Sequence, residues 1–272
     1  MKLATIRTAG ATACARIDGD EATLLPHPSV EALLASSVDW QAQAASASGP
    51  VLDARTLDYA PVVTRPEKIL CAGLNYRAHI LETGRAIPEY PVIFAKFWRS
   101  LIGAEDELVL PSNSSGVDWE AELALVIGTT VRHADRETAA ASIAGYTVAN
   151  DVSMRDWQTR TIEMLQGKTF ESSTPVGPWL ITADSVDVSD VRLSCLVDGE
   201  LMQESSTSDM VFDPAFLVSY LSQIITLVPG DLILTGTPSG IGGARKPPVY
   251  LQQGQTLTTV IDGLGTLVNV CS

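Results

Sequence analysis

Gly116-Val117-Asp118-Trp119-Glu120-Ala121-Glu122-Leu123-Ala124-Leu125-Val126-Ile127-Gly128 opens with an acid at every second position and closes in an unbroken apolar run. Strand side chains alternate between faces, so Asp118, Glu120 and Glu122 are expected on one face of one strand. Leu123 to Ile127 has no polar side, which reads as a strand buried on both faces. Acids leading into such a strand stand at the mouth of a core, where unpaired carboxylates are expensive. A divalent cation between them would offset their repulsion. Solvated acids at an exposed strand start are the other reading.

The surrounding chain bounds these readings. Its 272 residues suffice for one large domain, or one large and one small. A net charge of −14 makes nucleic acid and anionic membranes poor partners. Cys14, Cys71, Cys195 and Cys271 are scattered without paired spacing, which fits reduced thiols better than a disulfide frame. Met1 to Arg7 lacks the apolar core of a signal peptide, and the longest apolar region, Phe216 to Val228, is too short to span a bilayer. A soluble cytoplasmic protein is expected.

Two short strands over 2–8 and 11–17 meet at Ala9-Gly10, and Ser29 can cap a helix through about Ser36. The Ala/Ser-rich stretch 41–50 reads as a weak helix or a loop, and Pro61 and Pro66 bracket a connector. A small N-terminal subdomain is therefore placed at 1–65, ahead of a domain at 66–272. From Ile69 short apolar strands recur: Ile69–Ala72, Val92–Phe97, Glu122–Ile127, Gly145–Ala149, Leu193–Val197, Leu232–Leu234, Thr256–Ile261 and Thr266–Val270. Few helices are interleaved among these strands, the clear ones near 137–143, 154–165 and 214–223. Many strands without regular βαβ alternation predict a mixed, β-rich α+β fold, mostly antiparallel, with peripheral helices.

Several segments carry chemistry. In Cys71-Ala72-Gly73-Leu74-Asn75-Tyr76-Arg77-Ala78-His79-Ile80-Leu81-Glu82, His79 and Glu82 would be neighbours on a helical face. A carboxylate beside an imidazole fixes its tautomer and raises its basicity, as a general base requires. A surface ion pair is the plainer reading. Asp151 sits where a strand meets a helix, as a helix cap or a metal ligand. Arg155 and Gln158 could share its face. Lys168 follows that helix, where a lysine can simply favour the C-terminal dipole. In Leu234-Thr235-Gly236-Thr237-Pro238-Ser239-Gly240, the glycines permit close approach to a ligand and the threonines supply hydroxyls. Gly240-Ile241-Gly242-Gly243 is a decoy. It continues into Ala244-Arg245-Lys246-Pro247-Pro248, which cannot open a pyrophosphate-cradling helix.

Taken in order, these segments resemble the fumarylacetoacetate hydrolase family over about residues 67–272. The resemblance rests on Gly73-x-Asn75-Tyr76-x-x-His79-x-x-Glu82, Asp118-Trp119-Glu120-x-Glu122-Leu123, Asn150-Asp151-Val152-Ser153-x-Arg155-Asp156-x-Gln158, Lys168 ahead of Gly177-Pro178-Trp179, and Pro229-Gly230-Asp231 leading to Thr235-Gly236-Thr237-Pro238. It implies a β-roll catalytic domain, a homodimer, and Glu120, Glu122 and Asp151 as metal ligands. An all-carboxylate set is hard and oxygen-rich, so the cofactor would be Mg²⁺ or Mn²⁺ rather than Zn²⁺. The resemblance further implies catalytic roles for His79 and Glu82 on a mobile lid and for Lys168. Tyr76, Arg155, Gln158 and Thr237 would hold the substrate, helped by Lys96.

Trp119 departs from the family's usual Tyr or Phe and should face away from the metal. Bulky Phe97-Trp98-Arg99 is expected to reshape the acyl pocket. Leu74 and Asn75 stand where one family member carries an extra Asp ligand, which favours a small acylpyruvate over fumarylacetoacetate. The implied activity is hydrolysis of a C–C bond in an acylpyruvate-type β-diketo acid, giving pyruvate and a carboxylic acid, as in aromatic catabolism. His79, oriented by Glu82, would deprotonate the attacking water, and Lys168 would stabilise the departing enolpyruvate. Oxaloacetate decarboxylation or isomerisation of an unsaturated 2-oxo diacid would use the same pocket. A non-catalytic metal- or sugar-binding module is a reading of another class. The lack of an Asp-x-Asp-x-Asp-Gly loop and the His79–Glu82 pair count against it.

Overall fold

The apolar run becomes the strand Ala121–Ile127, with every residue buried. It lies between Ile143–Asn150 and Leu232–Leu234, antiparallel to both. Both faces and both edges are therefore covered, which is why nothing polar follows Glu122 in it. The computed structural model describes residues 1–36 and 39–272.

The main sheet, 12-stranded in all, extends both ways from this strand. On one side, Leu232–Leu234 pairs in parallel with Ile69–Gly73, which pairs antiparallel with Val92–Lys96. On the other, Ile143–Asn150 pairs with Thr174–Thr182, and that strand pairs with Lys2–Thr8. Ala11–Asp18, Glu21–Leu24 and Val51–Asp53 continue to the edge, so strands from the first 65 residues extend the same sheet. On one face of the central strand, Ala124 and Val126 share a core with Leu33, Leu34 and Trp40. On the other, Leu125 and Ile127 meet Leu193, Ile261 and Leu267 of a four-stranded sheet ordered Glu200–Ser206, Arg192–Val197, Thr256–Ile261, Gly265–Val270. Sheet on sheet, with helices outside, makes a β-rich α+β fold. The longest helix, Pro214–Ile224, is capped by Asp213 and buries Leu217, Val218 and Leu221. Among the described residues, no helix is long and apolar enough to cross a membrane.

Three local expectations are corrected. Thr174–Thr182, a nine-residue strand inside the main sheet, is absent from the strands expected above; it carries Pro175 and Pro178, which a central strand ordinarily excludes. Its register against Ile143–Asn150 jumps from Val148↔Gly177 to Tyr146↔Ile181, so Pro178 falls where the ladder is already interrupted. The helix expected at 154–165 is only Arg155–Gln158. Thr159, Thr161 and Ile162 are weak helix formers. Gly167 then returns against the helix start, where a Cβ would lie 2.5 Å from both Met154 O and Gln158 N. Finally, the acidic stretch is not one strand. Val117–Asp118 pairs with Ser153–Met154, and the ladder resumes at Ala121.

Candidate active site

Strand register assembles the acids. Glu122 pairs with Ala149 and Ala121 with Asn150, so Asp151 emerges beside Glu120, where its N–H donates to Glu120 O at 2.8 Å. Glu120, Glu122 and Asp151 are all buried, and each offers an oxygen within 4.8 Å of the others. The side chain of Asn150 fixes Glu120 by accepting its N–H at 2.9 Å, and Gly236 N–H donates to Glu122 Oε2 at 2.7 Å. Asp151 does not cap the helix at Arg155, which has no side-chain cap.

Cations ring this group. Lys96 Nζ lies 2.5 Å from Asp151 Oδ1, and Lys168 Nζ lies 2.6 Å from Glu120 Oε2 and 2.8 Å from Asp151 Oδ2. Arg155 Nη2 is 2.7 Å from Glu120 Oε1. Burial alone would raise Glu120, but Lys168 and Arg155 overcome it and hold the carboxyl at about 2. Burial likewise opposes the charge on Lys168, yet Asp151 and Glu120 raise its pKa above the ordinary lysine value. Glu122 goes the other way. Burial, then Asp151 and Glu120, push it well above the carboxylate range.

Among the described residues Glu122 has no ion pair. With Asp118 included, four carboxylates face three cations, an excess of one negative charge when all are ionised. A divalent cation among Glu120, Glu122 and Asp151 would remove the repulsion and turn that excess to one positive charge. The donor set is all oxygen, as a hard cation requires. The residues fit such an ion.

Asp118 does not join the triad, contrary to the single-face expectation. The break in the strand turns it toward Gly242 N–H at 2.7 Å, Gly243 N–H at 2.9 Å and Arg155 Nε at 2.7 Å. The glycine-rich decoy thus has a role, its amides holding a buried carboxylate that orients Arg155.

A cavity of about 1010 Å³ opens over the group, with His79, Glu82, Glu120, Glu122, Arg155, Gln158, Lys168 and Thr237 on its walls. His79 and Glu82 sit on the helix Arg77–Glu82, with Nδ1 3.2 Å from Glu82 Oε2. A carboxylate partner makes Nδ1 the donor and leaves the Nε2 lone pair free. Arg155 Nη1 donates to Gln158 Oε1 at 2.9 Å. Thr237 Oγ1 accepts from Gln203 Nε2 at 2.8 Å.

Two expectations about the walls are corrected. Tyr76 does not reach the cavity. Its residue is fully buried in the main core and its hydroxyl lacks a hydrogen-bond partner, because the chain enters the helix there with its side chain turned inward. Phe97 is 59% exposed, and Trp98 and Arg99 line a different, smaller cavity, so this bulky trio does not shape the main pocket. Trp119 is buried, its Nε1 donating to Gly240 O.

Three contributors were not singled out by sequence. Asn150 stood only as part of a motif. Gln203 receives Ala121 N–H on Oε1 and holds Thr237 with Nε2, and no local pattern marks it. Asn75 spends its amide on Phe212 O, Thr235 O and Phe212 N–H, so it anchors the approach to the His79 helix rather than serving as a ligand.

Residues 68–271 match the family model described as fumarylacetoacetate (FAA) hydrolase C-terminal. The human protein oxaloacetate tautomerase FAHD2A, mitochondrial, is 46% identical over 230 residues, covering 84% of this chain and 73% of its own. The solved structure of fumarylacetoacetate hydrolase from psychrophilic Exiguobacterium antarcticum is 31% identical, with a TM-score of 0.88 over 100% of this chain and 99% of that one. That of 5-carboxymethyl-2-hydroxymuconate delta-isomerase from Mycobacterium smegmatis is 33% identical, with a TM-score of 0.83 over 100% and 98%. The expected cytoplasmic location is overturned by the mitochondrial human relative. Scattered buried thiols argue against an oxidising compartment but do not single out the cytoplasm.

Proposed function

The chain belongs to the fumarylacetoacetate hydrolase family, and from that premise we propose that it is a Mg²⁺- or Mn²⁺-dependent enzyme that interconverts the keto and enol forms of an oxaloacetate-type 2-oxo diacid. The observation that carries the reading is the His79–Glu82 pair on the wall of the cavity that also exposes Glu120, Glu122 and Lys168. The 46% identity to a protein named oxaloacetate tautomerase supports enolisation over hydrolysis. An isomerase among the structural neighbours supports it too.

When bound by Glu120, Glu122 and Asp151, the cation would supply Lewis-acid polarisation of the 2-oxo group. His79 takes the C3 proton on Nε2, while Glu82 stabilises the imidazolium. Lys168, kept protonated by Asp151 and Glu120, donates a hydrogen bond to the oxygen where negative charge develops. That oxygen then takes a proton from water, the imidazolium returns its proton to the hydroxide left behind, and His79 is neutral again once the enol has formed; the reverse sequence restores the ketone. Arg155 and Gln158 hold the substrate's first carboxylate from the side, and Thr237 closes the wall.

The test follows oxaloacetate enol by its absorbance in the presence of the metal-loaded protein. Faster ketonisation without pyruvate release is expected. Pyruvate released from oxaloacetate would mean decarboxylation instead. Hydrolysis of an acylpyruvate with no effect on ketonisation would restore the hydrolase reading. The resemblance also supports a homodimer, and one monomeric mass in light scattering across a wide concentration range would overturn it.

A further inference from the structure

We propose that Arg85 receives the distal carboxylate of the substrate and so sets a preference for dicarboxylates over 2-oxo monocarboxylates. The inference rests on the enolisation reading for its substrate class and deepens it. It begins from a census of positive charge around the cavity. Lys168 is held by Glu120 and Asp151, and Arg155 by Asp118, Glu120 and Gln158. His79 is committed to Glu82. Arg85 also lines the cavity, and among the described residues there it is the cation whose side chain forms no ion pair or hydrogen bond.

Its position is nonetheless fixed at the backbone. The helix Arg77–Glu82 ends at Thr83, and Gly84 follows with φ +69°. Gly84 N–H donates to Leu81 O at 3.0 Å and Arg85 N–H to Ile80 O at 3.1 Å. This paired closure is the Schellman motif. The helix that carries His79 therefore also sets where the backbone of exposed Arg85 leaves it. The hydroxyls of Thr83 and Thr159 on the same cavity are already spent, Thr83 Oγ1 donating to Ile80 O and Thr159 Oγ1 to Arg155 O, whereas the guanidinium of Arg85 brings a charge that a free hydroxyl on the wall cannot.

The charge of the whole chain adds to the argument. At −14 it repels a dianion at long range, so attraction has to come from local cations. The buried cations face the carboxylate triad and serve the 2-oxo acid head. A second carboxylate at the open side needs an unspent donor, and a guanidinium matches a carboxylate with two parallel hydrogen bonds.

Oxaloacetate and pyruvate share the 2-oxo acid head and differ by the distal carboxylate. Calorimetry on the Mg²⁺-loaded protein gives Kd for each, in wild type, Arg85→Gln and Arg85→Lys. Arg85→Gln is expected to weaken oxaloacetate about 10- to 100-fold and pyruvate less than about threefold, the range of a charge-assisted hydrogen-bonded pair. Arg85→Lys, which keeps the charge but not the fork, should fall between. Equal losses for both ligands, or an unchanged oxaloacetate Kd in Arg85→Gln, would overturn the assignment. Enol decay measured on the same samples separates the two proposals. Selective binding that depends on Arg85, without faster ketonisation, would refute tautomerisation and leave Arg85 standing.

Discussion

Gly240 donates its N–H to Glu82 Oε1 at 3.0 Å, while the other oxygen of Glu82 meets His79 Nδ1 at 3.2 Å. The turn that follows the strand Leu232–Leu234 thereby orients the carboxylate that orients the imidazole. Gly240 has φ +97°, and a Cβ there would lie 2.3 Å from Met202 O, so no other residue fits without movement. Gly240→Ala is expected to lower kcat for enolisation by roughly tenfold through a displaced Glu82. Oxalate affinity, which reads the triad rather than the dyad, should change little. A wild-type kcat in a folded Gly240→Ala protein would count against the positioning role.

His79 and Glu82 should not be equivalent on mutation. His79→Ala removes the base and should cost about 10²- to 10⁴-fold in ketonisation rate, with oxalate binding kept. Glu82→Gln leaves an acceptor for Nδ1 and loses only the charge that stabilises the imidazolium, so a smaller loss is expected. Deuterium incorporation at C3 reads both. Equal losses in the two variants would point to Glu82 as the base.

Much of this was legible because it depends on period and local chemistry. Leu123 to Ile127 reads as a doubly buried strand, as it is, and three-residue spacing puts His79 next to Glu82. What failed were features set by distant partners. A period of two puts Asp118 with the triad, but the chain does not keep that period, because Gly242 and Gly243 capture its carboxylate. The strand Thr174–Thr182 was hidden by prolines that the sheet tolerates at a register shift. Tyr76 looked like a site residue by its motif, and only the core it enters shows otherwise. Gln203 acts from 34 residues before its partner Thr237, where no local pattern can reveal it.

The three triad carboxylates should part company when metal is absent. Each of Glu120→Ala, Glu122→Ala and Asp151→Ala is expected to abolish the rise in Tm caused by Mg²⁺ or Mn²⁺. In chelator, Asp151→Ala should destabilise by about 3–5 kcal/mol, since it strips acceptors from buried Lys96 and Lys168. Glu122→Gln should instead raise Tm in chelator, because it replaces a buried carboxyl that has no ion pair, and that the fold can keep only by holding a proton, with a group that is neutral at every pH. Scanning calorimetry decides, and a fall in Tm for metal-free Glu122→Gln would contradict this account of the site.

The same residue predicts how stability follows pH. Burial, Asp151 and Glu120 raise the pKa of Glu122 well above its ordinary value of 4.5. Below that value the group is protonated whether the chain is folded or not, so it imposes no penalty. As pH rises further, the unfolded chain releases the proton while the metal-free folded protein retains it. Stability then falls by about 1.4 kcal/mol per pH unit from this group, until pH passes the folded pKa. A divalent cation reverses the trend, because it displaces the proton and binds the carboxylate more readily as pH rises. The stabilisation gained on adding Mn²⁺ should therefore be larger at pH 8 than at pH 6. In chelator, Glu122→Gln should show a flatter dependence of Tm on pH than the wild type over the same interval. Denaturation curves at the two pH values, with and without metal, measure both effects. Parallel slopes for wild type and Glu122→Gln in chelator would mean that the proton resides elsewhere in the triad.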